Sequence, residues 1–456
     1  MDMMMRLMMG VILYGCLIPT YAFAANLRLP KKNIILGVTV PYAHHDDTGV
    51  EAVCATYLKR IRILTVAVLV LSLPIWFVPM SVQILMLMTA FMIFIAGDMV
   101  IFVKANRALT AIKRESNWTE VSHTVPAAVD LRAMEEKNRP LPRLIFILPC
   151  LIAAVPLVFM VQDLLAGTFI WGQVIAYSAM ILTIPLILVL TEAMRRQNAE
   201  IVGTNSDFNV ILTRIRRREW VRCMAITAWM LAITTIATWF AMDIPEFLFL
   251  GVVLGLSLIV VVYAFRAEFA VRRAQERFTQ LAGDTLPVDD DKHWIWGLFY
   301  YNRDDKRLII KDRVGMNMSM NFAKPIGMIL MVAAGLTILV MPLIGVWTVA
   351  QEFTPITYSV EGHVVTAAQL RTRTFDLGER FGAEVLDTLP RSTRTAGTAI
   401  GTLREGRFNF DDIGSAWVLF YTDQPPFLVL TAEDGQVLVF NYDPVFTPLV
   451  RSTLLR

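Results

Sequence analysis

Charged residues are scarce in this chain. They make up 18% of 456 residues, against 56% hydrophobic residues. That balance excludes a disordered chain and is wrong for a large water-soluble enzyme. It is the balance of a protein that crosses a membrane several times. Cysteine is sparse too. Of Cys16, Cys54, Cys150 and Cys223, three fall in apolar runs, which leaves neither a disulfide framework nor a metal-ligand spacing. No phosphate-binding loop, nucleophile elbow, H-E-x-x-H or C-x-x-C motif occurs. The five histidines (44, 45, 123, 293 and 363) are scattered, and no nucleophile has a base at an interpretable spacing. These absences point away from enzymatic chemistry and from a bound cofactor. The net charge of +3 is small, and the basic loops mark orientation in a bilayer rather than nucleic-acid binding.

What is present is a series of apolar runs. Eight of them, at 7–25, 63–80, 82–103, 144–161, 169–190, 223–241, 247–265 and 326–350, approach the ~20 residues that cross ~30 Å of hydrocarbon. Every long loop between them is basic and every short connector is not. Eight spans with both termini extracytoplasmic satisfy that alternation. Reading 7–25 as a cleaved signal would invert every later loop, so it is expected to be a retained first helix. The helical run after span seven, 266–281, contains neither Pro nor Gly and should continue into the cytoplasm.

Asp98 is the one acid well inside an apolar span. It precedes Lys104 by six residues, about 9 Å along a helix. Intramembrane acids are functional candidates by default; the plainer expectation is an Asp near the cytoplasmic rim that pairs with a snorkelling Lys or Arg. His44-His45-Asp46-Asp47 has metal-ligand residue types, but adjacent residues on a loop cannot all face one ion, so a solvated loop is expected there.

The longest polar interval between apolar runs is 289–325. It holds an acidic run (Asp289 to Asp291), an aromatic block (Trp294, Trp296, Phe299, Tyr300, Tyr301) and a mixed-charge basic run from Arg303 to Arg313. The aromatics are expected at the cytoplasmic headgroup level, packed on the ends of spans seven and eight. The pattern Asp290-x-x-His293-Trp294-x-x-Gly297-x-Phe299-Tyr300-Tyr301-Asn302-x-Asp304-Asp305, with Lys311-x-Arg313-x-Gly315 and Asn321-Phe322, resembles bacterial multi-pass membrane proteins with domain of unknown function 5808. The family's Asn is usually followed by Pro, here Arg303. The resemblance implies a bacterial cytoplasmic membrane protein and assigns no activity. The candidate functional residues are Asp98, Asp290, Trp294, Gly297, Tyr300, Asn302 and Asp305. The run Gly37 to Pro41 resembles, more loosely, the Sdp immunity membrane proteins.

After Ala350 the composition changes. Residues 351–456 contain short alternating runs and no spanning segment. Strands are expected at 356–360, 417–421, 427–430 and 437–440, with Asp434-Gly435 a two-residue hairpin signal and a closing helix over 445–455. Gly406-Arg407-Phe408, Asp434-Gly435 and Asn441-Tyr442-Asp443-Pro444 resemble, in order, a bacterial pleckstrin-homology-like domain. Twelve Asp or Glu, nine Arg and no Lys from Pro355 onward argue against a polybasic lipid site as its purpose.

The sequence therefore predicts an α-helical polytopic membrane protein of about eight spans (1–353). A mainly-β, pleckstrin-homology-like domain closed by one helix (354–456) follows it outside the cytoplasm. The expected role is non-enzymatic: envelope sensing, immunity-type signalling or protein interaction, with the bilayer and a protein at the C-terminal domain as partners. The alternative is a secondary transporter or permease using Asp98.

Overall fold

A computed structural model describes residues 2–31, 33–118, 144–166, 171–195, 206–241, 244–282, 290–314 and 318–454. His123, Asp289 and Gly315 of the sequence patterns lie outside the described residues.

Four helices form a first bundle: α1 (Asp2–Asn26), α2 (Thr48–Ser72), α3 (Met80–Glu115) and α10 (Pro325–Phe353). A second group contains α4 (Leu144–Ala154), α5 (Pro156–Ala166), α6 (Trp171–Ile181), α7 (Thr183–Arg195), α8 (Ser206–Trp239) and α9 (Glu246–Ala282). The fourth and fifth predicted spans are each broken once, at Val155 and Leu182. Pro156 and Pro185 follow those breaks, and a proline ring removes a helical N–H and crowds the carbonyl four residues back.

Among the described residues, seven helical segments are long and apolar enough to cross a membrane. Many of their large apolar side chains face outward: Leu258 is 60% exposed and Leu339 63%. Water would not tolerate that much exposed apolar surface; hydrocarbon would. The predicted span 63–80 is the one that does not qualify. Its helix, α2, begins at Thr48, carries Glu51, Lys59, Arg60 and Arg62, and gives way to a 3-10 turn at Leu73–Trp76 around Pro74. The helix still runs the length of the bundle, from Tyr57, which donates to the Ala24 oxygen (3.0 Å), to the 3-10 turn where Trp76 meets Gly10.

The first bundle has two distinct ends. At one, Trp76 packs on Gly10 and the Glu352 carboxylate accepts a hydrogen bond from the Ser81 N–H (3.1 Å), capping the start of α3. The C-terminal domain sits here. At the other, the segment after α1, the C-terminal turns of α3 and residues 290–314 and 318–325 come together into a polar cap.

The C-terminal domain has a three-stranded antiparallel sheet, β7 (Thr357–Glu361), β8 (Val364–Ala368) and β9 (Thr372–Asp376). Its second sheet has six strands: β10 (Gly382–Leu386), β11 (Ser392–Ile400), β12 (Leu403–Phe410), β13 (Gly414–Tyr421), β14 (Phe427–Thr431) and β15 (Val437–Asn441), in the order β10-β14-β15-β13-β12-β11. Strands β13 and β15 run parallel, so the sheet is not a simple meander. Trp417 and Leu419 face one core while Ala416, Val418 and Phe420 face another. A strand buried on both faces reads as a continuous apolar run, as this one does. The β14–β15 connection is longer than two residues: Ala432 and Gln436 still pair, leaving Glu433-Asp434-Gly435 as the turn. The closing helix, α11 (Thr447–Leu454), buries Leu449, and the preceding Phe446 stacks on Phe440; Val445 faces outward.

Candidate functional site

The polar cap begins with two tight hairpins. In the first, β1 (Ile34–Ile35) and β2 (Val38–Thr39) are joined by Leu36-Gly37, with φ of +47° and +77°. Positive φ at both central residues is the two-residue turn whose twist suits a hairpin. In the second, β3 (Trp294–Ile295) and β4 (Phe299–Tyr300) are joined by the three residues Trp296-Gly297-Leu298, the first two at +53° and +72°. The two tips touch. A Cβ on Gly37 would fall 2.8 Å from the Gly297 Cα, and one on Gly297 would fall 2.6 Å from the Gly37 oxygen. Asn106 of α3 seals the contact by donating from Nδ2 to the Leu36 oxygen (2.9 Å).

A charge cluster locks the hairpins together. Asp291 accepts hydrogen bonds from the Thr39 hydroxyl (2.7 Å), the Thr39 N–H (3.2 Å), Lys113 Nζ of α3 (2.7 Å) and Arg313 Nη2. Asp290 accepts from the Trp294 indole N–H (3.0 Å) and pairs with Arg313 Nη1 (3.1 Å). The Arg313 side chain is 2% exposed and lies over the Trp294 ring at 5.8 Å. Burial pushes the Asp291 carboxyl upward, but Arg313, Lys113 and Thr39 outweigh it and hold the group below the usual carboxylate range. Asp291 is therefore ionised and its charge is used inside the cap.

The second half of the stretch is organised by Asn321, which is fully buried. Its Oδ1 accepts from the Asn302 and Ala323 N–H groups (3.1 Å each), and its Nδ2 donates to the Asn302 (2.7 Å) and Asp305 (3.1 Å) oxygens. Asp305 takes a forked pair of hydrogen bonds from Arg307 (2.9 and 2.7 Å) and one from the Tyr300 hydroxyl (3.2 Å). The Arg307 side chain is the main reason its carboxyl lies as low as about 2. Asn302 Nδ2 in turn donates to the Tyr300 hydroxyl (3.2 Å). Strands β5 (Ile309–Lys311) and β6 (Met318–Met320) complete the element, and Trp294, Tyr300 and Ile310 form its small core.

Six of the seven sequence candidates thus meet in one body: Asp290, Trp294, Gly297, Tyr300, Asn302 and Asp305. Asp98 does not. It lies on α3 eight residues before Asn106, about 12 Å away along the helix, and its Oδ1 is buried with no hydrogen-bond partner among the described residues. No Lys or Arg pairs with it there. The aromatic block, expected against the ends of spans seven and eight, divides its contacts: Trp296 lies under Arg107 of α3 (5.9 Å), Trp294 and Tyr300 pack with Ile310, and Phe299 packs on Phe322, just ahead of α10. His44 pairs with Asp47 (2.8 Å) and stacks on Trp118, and the His45 ring contacts the Val40 oxygen (3.1 Å), so this run packs the approach to α2.

A second buried cluster ties α9 to the cap. Glu268, 4% exposed, takes Arg272 Nε (2.7 Å) and Lys31 Nζ (3.3 Å), while Arg272 also donates to the Asn26 (3.3 Å) and Val314 (3.2 Å) oxygens. Burial lowers the Lys31 ammonium, against the pull of Glu268. Sequence reasoning misses Thr39, Asn106, Lys113, Asp291, Glu268 and Asn321 as partners, because the pairs join segments far apart in the chain. The visible signal is the mixed-charge 289–313 run itself, since acids beside bases in a membrane-proximal loop are disposed to pair.

Set against known proteins, the chain matches no family model, no curated protein and no solved structure.

Proposed function

We propose that this chain is a non-enzymatic multi-pass protein of the bacterial cytoplasmic membrane. In this reading an extracytoplasmic β domain, pleckstrin-homology-like in being a sheet domain closed by one helix, meets a protein partner and relays that contact to the cytoplasmic cap. The role is envelope sensing or immunity-type signalling. The observation that carries the reading is α10, which joins the two parts and is held at both ends. Its 29 residues measure about 43 Å, the ~40–45 Å thickness of a bilayer with its headgroups. At its start Gly327 packs directly on the Asn321 backbone. At its end Gln369 donates to the Gln351 oxygen (2.6 Å), the Tyr421 hydroxyl to the Thr354 oxygen (2.7 Å), and Arg371 lies over Trp347 at 6.0 Å. A displacement of the domain would therefore be felt along the helix. The basic character of the cap end supports its cytoplasmic placement.

The test is in-cell photocrosslinking from surface positions of the β domain in the full chain, against a chain ending at residue 353 with probes in the cap. A protein crosslinked only when the domain is present supports the proposal. Crosslinks to lipid alone, in both chains, would overturn it. The second reading is a permease that uses Asp98, and the buried Oδ1 without a hydrogen-bond partner is what favours it.

A further inference from the structure

The cap holds a cavity of about 860 Å³ between the C-terminal turns of α3 and the second hairpin. Its lining is chemically one-sided. Arg107, Lys113 and Arg114 come from α3 and Lys292 from the hairpin's approach, with Asp291 the single carboxylate. That carboxylate is taken up by Thr39, Lys113 and Arg313. Arg107, Arg114 and Lys292 are exposed and have no ion-pair partner among the described residues. The cations on α3 begin at Lys104, directly after its apolar run, so the cavity lies where that helix would leave hydrocarbon. Trp296, 38% exposed, stands at its edge under Arg107.

We propose that this cavity binds a phosphate-bearing anionic group, and that an anionic phospholipid headgroup supplies it. The two arginines present planar donor forks suited to phosphate oxygens. Lys292 adds a point charge, and the Trp296 ring offers an apolar surface to the glycerol and upper acyl region. Volume favours a headgroup over free phosphate: the space is that of a site for a sizeable organic ligand, ~300–1,000 Å³, and far exceeds one phosphate. Basic loops that only set orientation need not converge on a cavity; these cations do.

The test uses the full chain in nanodiscs of phosphatidylcholine, alone or doped with phosphatidylglycerol, and counts lipids retained on release by native mass spectrometry. The wild type should retain phosphatidylglycerol preferentially. Arg107→Gln with Arg114→Gln should reduce that preference at least about tenfold, at roughly fivefold per cation. Arg273→Gln with Arg277→Gln, which removes the same charge from exposed positions on α9, should leave it unchanged. If the double variant fails to fold, Lys292→Glu, a change at an exposed side chain, replaces it with the same expected loss. In a second arm, inorganic phosphate is titrated into the detergent-solubilised chain while tryptophan emission is read. A saturable response in wild type but not in Arg107→Gln/Arg114→Gln, without lipid preference, keeps the anion site and assigns it to soluble phosphate. Equal loss in the α9 control, or no response to lipid or phosphate, overturns the proposal.

Discussion

Gly37 and Gly297 lie 260 residues apart in sequence and touch backbone to backbone, each in the left-handed region with no room for a Cβ. Two requirements coincide at each: a φ that L side chains rarely adopt, and an approach that a single methyl would block. Gly37→Ala and Gly297→Ala should each destabilise the cap by at least about 2 kcal/mol. Because they remove the same contact, the double variant should fall well short of the sum. Limited proteolysis of the detergent-solubilised chain, followed at the 290–325 stretch, reads this. Additive effects would mean that the tips do not depend on each other.

Arg313 is the hinge pin of the charge cluster. Its guanidinium reaches Asp290, Asp291 and Thr39 from a nearly fully buried position. Arg313→Met leaves Asp291 with Lys113 and Thr39 but without its nearest cation; removing one partner of a buried pair typically costs ~3–5 kcal/mol. Asp291→Asn with Arg313→Met removes charge from both sides and should recover a large part of that loss. Thermal unfolding followed through the Trp294 environment is the measurement, and equal Tm for the single and double variants would refute the pairing.

Acid should open the same region within a defined window. Asp291 and Asp305 both titrate below their ordinary range in the folded chain. A carboxylate with a depressed folded pKa adds stability above its unfolded value, near ~4, and loses it as pH falls through the folded value. For Asp305 that window runs from ~4 down to about 2. The cap should therefore keep its tryptophan emission from neutral pH to about pH 5 and change it below about pH 4. A transition centred near pH 6 would point to histidine instead.

Much of this architecture is legible in the sequence, for identifiable reasons. Apolar runs report helices directly, so α3, α8, α9 and α10 emerge where hydropathy places them. Strands β13, β14 and β15 are readable because buried strands are continuous apolar runs. Strands β11 and β12, STRTAGTAI and LREGRFNF, are not: their Thr, Arg and Gly carry little periodic signal, and their place is fixed by pairing with β13. Of the cap, Asp290, Trp294, Gly297, Tyr300, Asn302 and Asp305 are singled out by the pattern resemblance of their stretch and not by local chemistry. The long-range partners are hidden, since nothing near Thr39 or Lys113 indicates that Asp291 lies beside them.

Asp98 separates the two functional readings. Asp98→Asn keeps the shape of the side chain and removes its ability to carry negative charge. If the residue is a buried group tolerated by the bundle, the variant should fold with equal or greater stability and leave signalling-type phenotypes intact. A permease would instead lose solute-dependent growth or uptake while keeping its fold. Size-exclusion behaviour and Tm, read together with a cellular phenotype, distinguish these outcomes.

The C-terminal domain has a core of its own. Phe446 is fully buried against Tyr358 and Phe440, and Leu449 is 4% exposed in the same cluster, whereas Val445 is 40% exposed. About 100 residues with two sheets and a closing helix can bury enough surface to fold alone. Residues 354–456 should therefore yield a cooperatively folding β-rich monomer. Truncation at 444 should abolish folding, and Phe446→Ala should cost ~3–5 kcal/mol. Val445→Ala should stay within about 0.5 kcal/mol. Chemical denaturation of the isolated domain measures all three. The segment 351–354 adds a further dependence, because Gln369 and Tyr421 are hydrogen-bonded to its carbonyls. A fragment starting at 354 loses the Gln369 contact to Gln351 and should be less stable than one starting at 351. If neither folds while the full chain does, the sheet depends on the helical bundle for its completion, and the domain is not an independent unit.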